Sequence, residues 1–144
     1  MGPRNIEGSS IRVLVVDDYE PFRRFVCATL KKRPILQIVA EASDGVDAVR
    51  RAEELKPDVI LLDIELPRLN GLQAAREIRK LSPDSKIIFV SQEFSPDVVQ
   101  EAFSLGAQGY VAKTSAASDL LAAVETVLEG MRFVSSGSTT SGPD

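Results

Sequence analysis

The chain has no histidine and one cysteine, Cys27, in 144 residues. Oxygen atoms are therefore the metal ligands on offer, and they favour Mg²⁺, Mn²⁺ or Ca²⁺ over zinc. A single thiol excludes an internal disulfide and suits a reducing compartment, and its simplest role is a small apolar filler on a helix. No apolar run approaches the ~20 residues that cross a bilayer, and residues 1 to 10 lack the apolar centre of a signal peptide. The expectation is a cytoplasmic protein. Basic residues are also in deficit: 17 Lys and Arg against 21 Asp and Glu leave a net charge of −4 and a pI near 5.0. That balance argues against a domain that grips nucleic acid through its own surface, since phosphate contacts need a basic face.

What is present is a single globular domain's worth of apolar residues, 44% of the chain. Two short runs stand out, Ile11 to Val16 and Val59 to Leu62. Each is nearly continuous in Val, Ile and Leu and too short for a helix, as a strand buried on both faces would be. The first ends in Asp17 and Asp18, the second in Asp63. Three carboxylates at the C-terminal ends of core strands repel one another, so they must hold protons or a cation.

From residue 11 the pattern alternates strand and helix five times, the signature of a parallel sheet with helices on both faces. Apolar residues at helical spacing (Phe22, Phe25, Val26, Thr29 and Leu30; Leu120, Val124, Val127 and Leu128) mark the first and last helices. Start and stop signals place the others over roughly 45 to 56, 71 to 81 and 96 to 105, with Gly106 as a left-handed cap. The strands Ile11–Val16, Val59–Leu62 and Ile87–Val90 are apolar throughout, so they are central. Leu36–Ala42 is interrupted by Gln37 and Glu41, and Gly109–Ala112 is short, so both read as edges. The expected order is 2-1-3-4-5, a flavodoxin-like (βα)5 three-layer sandwich whose ligand crevice lies between the first and third strands. Residues 1–10 and 135–144, rich in Gly, Ser, Thr and Pro, are expected to be flexible tails around a domain at 11–134.

Ser91 ends the fourth strand and Lys113 ends the fifth, bringing Asp17, Asp18, Asp63, Ser91 and Lys113 to one rim. Here the chain resembles the receiver domain of bacterial two-component response regulators. The resemblance covers about residues 11 to 130 and rests on VLVVDD at 13 to 18, DVILLDIELPRLNG at 58 to 71, IIFVS at 87 to 91 and GAQGYVAK at 106 to 113. Each motif is weak alone, and all four in order at strand ends are highly specific.

The resemblance implies that Asp63 accepts a phosphoryl group from a sensor histidine kinase in the presence of Mg²⁺, a step the carboxylate's chemistry allows. It implies that Asp18, Asp63 and the main-chain carbonyl of Glu65 ligate the cation, and that Asp17 acts mostly through water. Lys113 would pair first with Asp63 and then with a phosphoryl oxygen. Tyr110 resembles the family's switch aromatic, which turns inward when the residue at Ser91 moves. The receiver promotes its own phosphorylation and dephosphorylation and turns over no external substrate. Thr114 stands where many receivers have Pro after the lysine, so a trans peptide is expected. Glu65 and Gln92 also depart from the commonest pattern, beside the phosphoryl site. The segment GAQGYVAKTSA and MRFVSS at 131 to 136 most resemble receivers that precede a helix-turn-helix domain. The chain is then either the receiver part of a transcription regulator, meeting DNA only through a domain outside residues 1–144, or a stand-alone receiver. The resemblance further implies a homodimer through the last helix and its neighbours, with Tyr110 and Val111 near that face.

Each residue also has a plainer reading. An Asp after a strand is often a helix cap, which explains Asp17 or Asp18 singly but not the pair with Asp63 opposite. Ser91 has the alternative of bonding local backbone, Lys113 of being a solvated lysine, and Tyr110 of being a half-buried edge-strand tyrosine. An aspartate-nucleophile phosphohydrolase is disfavoured, because Glu65 stands where its second aspartate belongs and no segment is long enough for a cap. A flavin module is disfavoured because Asp17 and Asp18 would repel a phosphate in the first loop. A receiver-like interaction module that is never phosphorylated has no need of a self-repelling acidic pocket.

Overall fold

The computed structural model describes residues 10–136. Strands β1 (Ile11–Val16), β2 (Leu36–Ala42), β3 (Val59–Leu62), β4 (Lys86–Ser91) and β5 (Gly109–Ala112) alternate with helices α1 (Glu20–Leu30), α2 (Gly45–Leu55), α3 (Gly71–Leu81), α4 (Pro96–Ser104) and α5 (Ala116–Leu128). A two-residue strand β6 (Phe133–Val134) closes the order, and a 3₁₀ turn at Lys113–Ser115 joins β5 to α5. The parallel sheet runs β2-β1-β3-β4-β5-β6.

Period-two alternation divides each core strand between two apolar layers. Leu14, Val16, Ile60, Leu62, Ile87 and Phe89 pack with α2, α3 and α4 on one face. Val13, Val15, Val59, Leu61, Ile88 and Val90 pack with α1 and α5 on the other. The helix bounds follow the expected signals closely: Ser95 caps α4 by accepting the Val98 amide, and Gly106 takes φ +102° after its last turn. The Lys113–Thr114 peptide is trans, as expected.

Three expectations need correction. β5 is not an edge, because β6 pairs with its outer side: Phe133 N donates to Gln108 O at 3.0 Å and Ser135 N to Tyr110 O at 3.0 Å. Phe25 leaves the buried stripe of α1 and is 38% exposed, and Cys27 is buried in the core instead. Tyr110 and Val111 expose no surface, so they contribute nothing to a self-association face. The expected tails lie outside the described residues except at Ser10, Ser135 and Ser136. Ser135 is buried, so the ordered chain passes residue 134. Among the described residues no helix is long and apolar enough to cross a membrane.

Candidate functional site

The C-terminal ends of β2, β1 and β3 are locked side by side, with Asp17 N donating to Ala42 O and Asp63 N to Val16 O, each at 3.1 Å. Helix α3 then starts hard against the end of β3. Its first turn carries a capping box, in which Asn70 Oδ1 accepts the Gln73 amide at 2.9 Å and Gln73 Oε1 accepts the Asn70 amide at 3.0 Å. Gly71 N donates to Ile64 O at 2.7 Å, and a Cβ at Gly71 would stand 2.0 Å from the carbonyl oxygen of Asp63. The glycine is what lets the helix approach the strand end so closely.

Asp17, Asp18 and Asp63 each offer a carboxylate oxygen, all within 4.8 Å of one another. Asp17 and Asp63 are buried and Asp18 is exposed. Lys113 Nζ lies 2.8 Å from Asp17 Oδ2 and 3.1 Å from Asp63 Oδ2, with its side chain 13% exposed. The other oxygens of the two buried acids meet backbone amides: Tyr19 N donates to Asp17 Oδ1 at 2.9 Å and Ile64 N to Asp63 Oδ1 at 2.7 Å. Asp18, Tyr19, Asp63, Glu65, Gln92 and Lys113 line an open cavity of about 450 Å³ above this group.

Burial pushes the Asp63 carboxyl above its ordinary value; the Asp17 charge adds to the rise, and Lys113 and the Ile64 amide oppose it. For Lys113 burial acts downward. Its hydrogen bond to Asp17 and the charges of Asp63 and Asp17 outweigh that effect and hold the ammonium above its ordinary value. The pocket is thus an acidic cluster of oxygen donors with one lysine inside it. Such a donor set fits a hard divalent cation.

Ser91 is fully buried, and its hydroxyl accepts the Glu93 amide at 3.1 Å, the local backbone bond of its plainer reading. Tyr110 is fully buried as well, not half-buried, with its hydroxyl donating to the Glu93 carbonyl and its ring 5.7 Å from Phe94 and 6.0 Å from Phe89. Asp17, Asp18, Asp63 and Lys113 therefore meet directly, whereas Ser91 and Tyr110 sit behind the cavity and share the Glu93 backbone.

Sequence reasoning missed three supports. Phe22 places its ring 4.6 Å from Lys113 Nζ, although its apolar spacing marked it only as core. Arg23 donates to the Asp17 carbonyl at 2.8 Å and pairs with Glu41 at 2.8 Å, anchoring α1 to β1 and β2. Gly71 was visible at the end of its motif, but its contact with Asp63 was not.

Comparison with known proteins agrees with this geometry. The family model for the response regulator receiver domain matches residues 13–125. The transcriptional regulatory protein DegU of Brevibacillus brevis is 33% identical over 129 residues, 90% of this chain and 55% of its own length. The transcriptional regulatory protein LiaR of Bacillus subtilis is 38% identical over 120 residues, 83% of this chain and 57% of its own. The chain thus spans little more than half the length of these curated relatives. Among solved structures, a two-component response regulator of the LuxR family from Aurantimonas superimposes with a TM-score of 0.82 at 34% identity, covering 87% of this chain and 89% of that one. The signal receiver domain of the putative response regulator NarL from Mycobacterium tuberculosis gives 0.80 at 31%, covering 85% and 98%. The parallel strand order, the acidic rim and the matched span of 13–125 agree: this chain belongs to the response regulator receiver domain family.

Proposed function

We propose that the chain is a phosphoacceptor receiver in which Asp63 takes a phosphoryl group from a histidine kinase. The observation that carries this is the lysine-bridged pair, with Lys113 Nζ within 3.1 Å of both Asp17 and Asp63 at the floor of an open acidic cavity. In the reaction a carboxylate oxygen of Asp63 attacks phosphorus, an O–P bond forms, and the P–N bond of the donor phosphohistidine breaks. The imidazole leaves with the bonding pair and takes up a proton. With no histidine of its own, the chain is the acceptor and not the donor.

Asp18, Asp63 and the Glu65 carbonyl would hold Mg²⁺, or Mn²⁺, with Asp17 acting through water. Asp18, Asp63 and Glu65 line the cavity, whereas Asp17 is buried and is not among its lining residues, which supports that division. The bound cation supplies charge neutralisation for the phosphoryl oxygens. Lys113 balances the remaining charge and turns from Asp63 to a phosphoryl oxygen after transfer. Ser91 and Tyr110 then carry the change to the surface around α4, β5 and α5. No external substrate is turned over.

The output is transcriptional control from the cytoplasm, through a helix-turn-helix domain of a longer protein. Support comes from relatives that are transcriptional regulatory proteins, of whose length the match covers 55% and 57%. Reading the encoding gene past Asp144 tests that part. Incubation with acetyl phosphate and Mg²⁺ tests the acceptor: one base-labile phosphoryl group is expected, absent in chelator and in Asp63→Asn. Undiminished labelling of Asp63→Asn would overturn the assignment.

A further inference from the structure

We propose that Phe22 is a positioning residue for the phosphoryl-acceptor site, holding the Lys113 ammonium through the face of its ring. The inference deepens the acceptor reading and rests on it. An ammonium carries three N–H groups and no acceptor. Lys113 Nζ meets Asp17 at 2.8 Å and Asp63 at 3.1 Å, and Phe22, from the first turn of α1, sets its ring centroid 4.6 Å away. The ring is itself steadied, half-buried against the α1 and α5 layer and 5.6 Å from Phe25.

The choice of an aromatic as the additional neighbour has a chemical consequence. A third carboxylate would hold the lysine more tightly, but it would compete with the phosphoryl oxygens and deepen the self-repulsion of the cluster. An aliphatic side chain would exclude water without attracting the cation. The negative face of an aromatic ring attracts an ammonium with no formal charge, most strongly where water is excluded. Lys113 is 13% exposed, so it lies near that limit. Phe22 thereby fixes where the ammonium stands while leaving its charge free for the phosphoryl group. The covalent step is unchanged: only Asp63 forms and breaks bonds.

The test replaces the ring's electrostatics while keeping its shape. Phe22 is exchanged for mono-, di- and trifluorinated phenylalanine, which drain the ring face progressively, and separately for Leu and for Tyr. The initial rate of labelling by acetyl phosphate at saturating Mg²⁺ is measured for each. The expected result is a stepwise fall along the fluorinated series, a fall of about threefold to tenfold in Phe22→Leu, and a rate near the parent's in Phe22→Tyr. The isosteric series stays informative even if Phe22→Leu folds poorly. Equal rates across the fluorinated series overturn the inference and leave the acceptor reading standing. So does an equal loss in Phe22→Tyr and Phe22→Leu, which would mean packing alone. A parent chain that takes no phosphoryl group overturns the acceptor reading and this inference with it.

Discussion

The Ser135 hydroxyl donates to Asp119 Oδ2 at 2.7 Å and accepts the Ala112 amide at 3.1 Å. One side chain therefore ties the strand end at β6 to the first turn of α5 and to the residue immediately before Lys113. Ser135 is buried, so removing its hydroxyl strands the Ala112 N–H without water to replace it. Ser135→Ala is expected to destabilise the domain by about 1–3 kcal/mol in urea unfolding, with Ser135→Thr milder. Unchanged stability in the alanine variant would show that the β6 pairing does not depend on this bridge.

The division of labour among the carboxylates predicts unequal losses of the cation. Asp18→Ala should abolish Mg²⁺ binding near Asp63, and Asp17→Ala should weaken it less. In thermal unfolding the parent should gain about 2.7 kcal/mol at Mg²⁺ near 100 times its Kd, and Asp18→Ala should gain nothing. Comparable losses in both variants would refute the ranking.

Ser91 and Tyr110 both use the Glu93 backbone, Ser91 accepting its amide and Tyr110 donating to its carbonyl. A Ser91 that swings to a phosphoryl oxygen gives up the Glu93 amide, so the loop that holds Tyr110 must rearrange. Moving a two-state equilibrium from 1:99 to 99:1 takes about 5.5 kcal/mol of differential binding. One hydrogen bond to a charged group contributes about 1.5–3 kcal/mol, so Ser91 and Lys113 must act together. Ser91→Ala should accept phosphate almost as the parent does, yet show a blunted hydrogen-exchange change at Tyr110 and α4. A response equal to the parent's would leave Ser91 as a local cap only.

Alkaline pH probes the buried phenol and thiol. Burial pushes Tyr110 from its ordinary 10.0 up to about 12, with the Ser91 hydroxyl opposing and Glu93 and Asp63 adding. Burial, with Glu41 nearby, pushes Cys27 from 9.0 up to about 11. Each group holds its proton more tightly folded than unfolded, so its contribution is whole below the unfolded value and lost as pH rises through the folded one. Stability should therefore decline between pH 9.0 and about 12. Cys27→Ala should remove the lower part of that decline and Tyr110→Phe the upper part. Identical pH slopes in urea unfolding for parent and variants would contradict both shifts.

The layer architecture and the acidic rim are legible in the residue pattern alone. Runs such as Val59–Leu62 report two-sided burial directly, and a residue that ends a parallel core strand must emerge at the ligand-binding edge, so Asp17, Asp18, Asp63 and Lys113 could be brought together from their positions alone. Contacts between distant segments are not encoded in local pattern. Phe133–Val134 is too short to show a period, and it becomes a strand only because β5 presents an open edge beside it. Tyr110 is buried by partners distant in sequence, its ring against Phe89 and Phe94 and its hydroxyl on the Glu93 carbonyl, where a short fifth strand by itself suggests a half-buried tyrosine. Phe22 carried one signal, apolar spacing on a helix, and that spacing is the same whether a ring faces leucine or an ammonium. Its meeting with Lys113 at 4.6 Å exists because α1 and the end of β5 converge on one end of the sheet, a product of chain packing rather than of either segment.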